Sequence, residues 1–122
     1  MVYAAGTLEA LHKPDQAAAF LRLLRLLGGE PFSFETDAPH CVELTLYEQA
    51  EERRYMLNLV NIQEKLPSVP VYGVQISVRV PQTVRRIRAL PGEREIPFTR
   101  EEDAVRFTAD RIDIFRMFAL EY

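Results

Sequence analysis

Hydrophobic and polar positions change their period near residue 30. Before it, Ala17, Phe20, Leu21, Leu24 and Leu27 recur at spacings of three and four, with Arg22 and Arg25 on the other side. A period near 3.6 predicts a helix over 14–27 with an apolar stripe. Pro14 suits the first helical position, Asp15 the positive end of the dipole, and Gly28-Gly29 a left-handed stop. Leu23 and Leu26 widen the stripe, so the helix is expected to be covered on more than one side. A short apolar run at 2–5 predicts a buried strand ahead of it.

After residue 30 the period becomes two. Val42, Leu44 and Leu46 alternate with Glu43, Thr45 and Tyr47, which predicts a strand with one wet face. Tyr55, Leu57 and Leu59 alternate with Met56, Asn58 and Val60, a strand covered on both faces. Tyr72, Val74, Ile76, Val78 and Val80 alternate with Gly73, Gln75, Ser77 and Arg79, between Pro70 and Pro81. Further strands are predicted at 84–90, 95–98, 104–108 and 112–121. Pro91-Gly92 and the charged stretch 100–103 read as turns. The connections are too short for parallel crossovers. The expected architecture is therefore mainly β: an antiparallel β-sandwich, or partly closed barrel, of about seven strands with one N-terminal α-helix. Residues 1–29 form a strand–helix segment and residues 30–122 the sandwich domain.

Composition narrows the class. With 48% apolar and 27% charged residues, the 122-residue chain is globular rather than disordered. Fifteen Lys and Arg against 18 Asp and Glu leave a net charge of −3, without general attraction for nucleic acid or anionic membrane. One cysteine makes neither an internal disulfide nor a Cys-rich zinc site. No apolar run approaches the roughly 20 residues of a membrane span, and the first residues lack a secretory pattern. A soluble, cytoplasmic unit is expected.

Candidate chemistry is sparse. His12 and His40 fall in different zones, and no His-x-x-x-His or Cys-x-x-Cys spacing supports a metal; no metal and no cofactor is expected. Cys41 next to His40 invites a nucleophile–base reading, but adjacent strand residues point to opposite faces. Glu35, Asp37 and Glu43 are candidate acids, yet nothing in the pattern sets two of them across an apolar cleft. Gly28-Gly29 follows its helix, so it offers carbonyl ends rather than phosphate-binding amides. Arg85, Arg86 and Arg88 lie on a strand without interleaved aromatics, which fits ion pairs better than nucleic acid. Asn58 and Asn61 interrupt an apolar strand and require hydrogen-bond partners if buried. Tyr47, Tyr55, Tyr72 and Tyr122 are candidate stacking platforms for sugars.

The words Glu35-Thr36-Asp37-Ala38-Pro39, Val42-Glu43-Leu44-Thr45-Leu46 and Arg54-Tyr55-Met56-Leu57-Asn58-Leu59-Val60-Asn61 carry a resemblance. So do Pro70-Val71 leading into the 74–80 strand, the segment 84–91 ending in Leu90-Pro91, and the closing Ala119-Leu120-Glu121-Tyr122. Together they resemble the tail of multidomain glycoside hydrolases of the β-galactosidase-like and α-fucosidase-like kinds. In those proteins a catalytic (β/α)-barrel is followed by an amidotransferase-like trimerisation domain and a small antiparallel β domain. By that resemblance, residues 1–29 correspond to the end of the middle domain and residues 30–122 to the terminal β domain. The barrel with its two catalytic carboxylates has no counterpart here, so no catalytic residue is carried over. The resemblance implies a non-catalytic ancillary domain with a packing role, partnered by a missing catalytic domain or by further copies of itself through the leucine-rich helix. Two alternatives stand beside it: a carbohydrate-binding module, and a glycosidase-related enzyme whose site is shared between subunits through Glu35, Asp37 or His40.

Overall fold

Alternating side chains become strands where a neighbouring strand supplies backbone partners, and in the computed structural model nine strands form among the described residues. It describes residues 14–29, 31–65 and 67–122. The expected strand at 2–5 lies outside the described residues. Chain contacts divide the molecule into two units that meet between Phe32 and Ser33.

In the first unit, helix α1 spans Pro14–Gly28, with Asp15 in its first turn and Arg25 in its last. Gly29, at φ +77°, stops it, its N–H donating to the Arg25 carbonyl at 3.0 Å. The least exposed side chains are Gln16, Phe20 and Leu23, spaced along one face. Leu21, Leu24, Leu26 and Leu27 are exposed, so the stripe read from the sequence is not the covered one.

The second unit is two antiparallel sheets. Strands β1 (Phe34–Thr36), β4 (Val71–Arg79), β8 (Ala104–Ile112) and β7 (Thr99–Glu101) form the first, in the order β1-β4-β8-β7. Strands β2 (Val42–Gln49), β3 (Arg54–Asn61), β9 (Phe115–Glu121), β5 (Arg86–Leu90) and β6 (Arg94–Glu95) form the second, in the order β2-β3-β9-β5-β6. Every pairing is antiparallel. Val74, Ile76, Val78, Val105 and Phe107 of one sheet and Leu57, Leu59, Ile87, Phe118 and Leu120 of the other fill a single core. Across it, Phe107 and Phe118 meet edge to face with ring centres 5.0 Å apart. Fully burying side chains of this size contributes about 1.5–3 kcal/mol each.

The expected strand β3 is covered on both faces: Leu57 and Leu59 point into the core, and Met56, on the outer face, is only 3% exposed. On β2, Val42, Leu44 and Leu46 pack on the core while Glu43, Thr45 and Tyr47 are exposed, as their alternation requires.

Four differences from the sequence reading have physical causes. Strands β1 and β7 are three residues each, too short to show a period, and β7 occupies part of the supposed turn 100–103. In the run 95–98 only Glu95 belongs to a strand and Ile96 N–H adds one bond to the Ile87 carbonyl at 2.8 Å, because the chain then crosses through Pro97 to β7 in the other sheet. Ile112 ends β8 instead of beginning the last strand; the chain reverses at Asp113-Ile114. Tyr72 is not on the core face. Gly73 has φ +66°, which turns the strand over, so Val71 packs inward and Tyr72 is 63% exposed. The facing strand changes in step: Ala109 and Ile112 are both buried on either side of Asp110.

Candidate functional site

Glu35 and Asp37 lie on and just beyond β1, while Glu43 is in the other sheet. Glu35, on β1, pairs with Arg79 at 3.3 Å. Asp37 accepts the backbone N–H of Gln75 at 2.7 Å, so its carboxylate fastens the chain beyond β1 to β4. Glu43 is exposed on β2, in the other sheet. His40 is exposed in the turn before β2, whereas Cys41 packs partly against the core, so the adjacent pair diverges. His12 lies outside the described residues. Among the described residues no three His, Cys, Asp or Glu side chains gather as metal ligands.

The two asparagines serve the fold. Asn61 is buried, and its amide donates to the Asp113 carbonyl at 2.7 Å and to the Val69 carbonyl at 3.0 Å. Its side-chain oxygen accepts from Gln63 at 2.9 Å, and Gln63 also exchanges bonds with the Val69 backbone. One side chain thereby ties the long 62–70 loop to the β8–β9 turn. Asn58 donates to the Thr45 hydroxyl across the β2–β3 ladder at 3.3 Å. The arginines of β5 are ion-paired: Arg86 and Arg88 both reach Glu121, and Arg88 also reaches Glu93 at 3.0 Å.

The tyrosines do not assemble a platform. Tyr47 and Tyr72 are exposed on different sheets, and the Arg111 guanidinium lies 5.7 Å from the Tyr72 ring centre. Arg111 is itself held by Asp113 at 2.6 Å, and that bond raises its pKa further above the usual value. Tyr55 and Tyr122 meet at 5.5 Å where β2, β3 and β9 end together. There Tyr55 donates its hydroxyl to Gln82, Gln82 donates to Glu48 at 3.2 Å, and Tyr122 donates to Glu48 at 2.7 Å. Burial, then the nearby Glu48 charge, raises the pKa of Tyr55; the bond to Glu48 raises that of Tyr122. Such a cluster holds its protons more tightly, which suits sealing a sheet end rather than acid–base transfer near neutrality. Glu48 and Gln82 carried no signal in the sequence. Their neighbours lie tens of residues away along the chain, and only the strand register unites them.

Of four hollows on the second unit, the two roomiest lie on different parts of it. One, of about 630 Å³, lies by β8 and the β6–β7 connection and is lined by Phe98, Pro97, Thr108 and the ion-paired Arg94, Arg106 and Asp110. Another, of about 690 Å³, lies beside Pro67, Ser68, Asp113 and Ile114. Glu95 also lines the first, where the Asp110 carboxylate is held by Arg94 at 3.0 Å, and in the second Asp113 is held by Arg111 at 2.6 Å.

Comparison with known proteins finds a likeness to part of a solved enzyme. No protein-family model and no curated protein matches the chain. Among solved structures, the chain is similar to α-L-fucosidase isoenzyme 2 from Paenibacillus thiaminolyticus, with a TM-score of 0.76 and 29% identity. The likeness covers 88% of this chain and 18% of the fucosidase. The chain is thus similar to one part of a multidomain glycoside hydrolase, in agreement with the resemblance read from its strand words. No described helix is long and apolar enough to cross a membrane.

Proposed function

We propose that this chain is an ancillary β-sandwich domain of a glycoside hydrolase, packing against a catalytic domain that supplies the chemistry. The likeness to less than one fifth of an α-L-fucosidase carries this reading. The side chains support it: Asp37, Asn61, Glu121 and Glu48 are each engaged in holding strands or loops together. The exposed Leu21, Leu24, Leu26 and Leu27 of α1 offer an apolar face suited to a neighbouring domain.

Nitrophenyl α-L-fucoside and β-galactoside test it directly. The purified chain is expected to release no nitrophenol above buffer. Turnover that disappears on substitution of a single carboxylate, Glu35→Gln or Asp37→Asn, would overturn the proposal. Sequencing the DNA on both sides of the coding region is expected to reveal a catalytic barrel encoded nearby.

A further inference from the structure

Edge strands present unpaired N–H and C=O groups, and sheets commonly protect them by keeping them short. Three of the four edges here are short: β1 and β7 have three residues each and β6 has two. The fourth, β2, runs for eight residues, Val42–Gln49, in unbroken register with β3 and with no Pro or Lys.

The direction of its backbone groups follows from the hydrogen bonds at its start. In an antiparallel ladder, alternate residues exchange both bonds with the partner strand. Ile62 N–H donates to the Cys41 carbonyl at 2.6 Å, while Val42 N–H turns back to the Pro39 carbonyl at 2.9 Å. In that phase Glu43, Thr45, Tyr47 and Gln49 bond to β3. The N–H and C=O groups of Leu44, Leu46 and Glu48 point out of the sheet edge. None of these has a hydrogen-bond partner among the described residues.

We propose that β2 pairs antiparallel with β2 of a second copy of the chain, about a twofold axis through Thr45. Turning the strand about Thr45 sets Leu44 opposite the second copy's Leu46, and Leu46 opposite its Leu44. Each of these pairs exchanges both backbone bonds. Glu43 then faces Tyr47, Val42 faces Glu48, and the two Thr45 side chains meet on the axis. No two carboxylates stand opposed, and every residue meets one on its own face of the sheet. Displacing the axis to the bond between Thr45 and Leu46 sets Glu43 against Glu48 and mixes the faces. Centring it on Leu46 sets Glu48 against Leu44. The Thr45 axis matches hydrogen-bonding phase, face and charge, and at both central pairs it sets Leu44 against Leu46, apolar on apolar, where the Leu46 axis sets each Leu44 against a Glu48. It is an isologous contact, joining two five-stranded sheets into one continuous sheet. This surface is separate from the helix face proposed for the catalytic domain, and the inference does not depend on that proposal.

Light scattering on the full chain over a concentration series reads the result. A reversible dimer is expected, with slowed amide exchange at Leu44 and Leu46 as the dimer fills. Thr45 is exposed, so Thr45→Lys leaves the core untouched while opposing two ammonium groups on the axis. It is expected to weaken the dimer about three- to fivefold, as is Thr45→Glu. Mixing the two variants pairs the charges and is expected to restore a dimer at least as tight as the wild type. Leu46→Pro removes an outward N–H that β3 does not use, and is expected to leave monomer. A wild type that stays monomeric at every concentration overturns the inference. So does an oligomer that is unaffected by either Thr45 substitution and dissociates on Leu24→Glu.

Discussion

The same three strands, β2, β3 and β9, finish very differently at their two ends. At one end Glu48, Gln82, Tyr55 and Tyr122 close the sandwich with hydroxyl and amide bonds around two rings tilted against each other. At the other, buried Asn61 ties two loops together, and these loops with the first residue of β9 display Ile62, Val69, Ile114 and Phe115 to solvent. One end spends its polar groups on covering apolar rings. The opposite end uses a single buried amide to order loops whose apolar side chains stay exposed. The difference teaches where this domain is finished and where it is open.

Substitutions can break that contrast, beginning with the largest effect. Asn61→Ala leaves the Asp113 carbonyl without its side-chain donor and frees the 62–70 loop; a loss of about 2–3 kcal/mol in urea-unfolding free energy is expected. Tyr55→Phe removes one hydroxyl from the closed end and is expected to cost about 1 kcal/mol near neutrality. The alkaline limb sharpens the comparison. Because the fold raises the pKa values of Tyr55 and Tyr122, their contribution is complete below the unfolded tyrosine value of about 10. It is lost as pH rises through the higher folded values. Stability of the wild type should therefore fall above about pH 10, and Tyr55→Phe should flatten that fall. Glu48→Gln is expected to bring the Tyr122 titration, followed by phenolate absorbance, down toward its ordinary value while changing stability less than Tyr55→Phe. Ile114→Ser, at the open end, is expected to move stability by no more than about 0.5 kcal/mol, since its side chain is already in water. A loss above 2 kcal/mol there would show that the apolar end is structural.

How much of this was legible in the sequence depended on the length of each pattern. Strands β2 and β3 and helix α1 declared themselves because eight or more residues repeat one period. Strand β7, Thr99-Arg100-Glu101, is wholly exposed and charged, so its composition matched a turn. Asn61 could be recognised as a buried amide in need of partners, because it follows an apolar run. Its acceptors could not, since Val69 and Asp113 offer backbone carbonyls, which any residue carries. The Glu48–Tyr122 bond joins residues 74 positions apart, and only the β2–β3–β9 register brings them together. Likewise, the openness of the β2 edge is a property of strand order, invisible until its neighbours are known.

Gly73 has one more consequence. A methyl group built there would meet nothing within 4 Å, so the position is limited by torsion and not by room. Its φ of +66° is costly for a residue of natural handedness and comfortable for the mirror form. A chemically synthesised chain carrying D-alanine at that point should therefore fold more stably than the native one, whereas L-alanine should weaken it. In this strand, stereochemistry decides which side chains reach the interior.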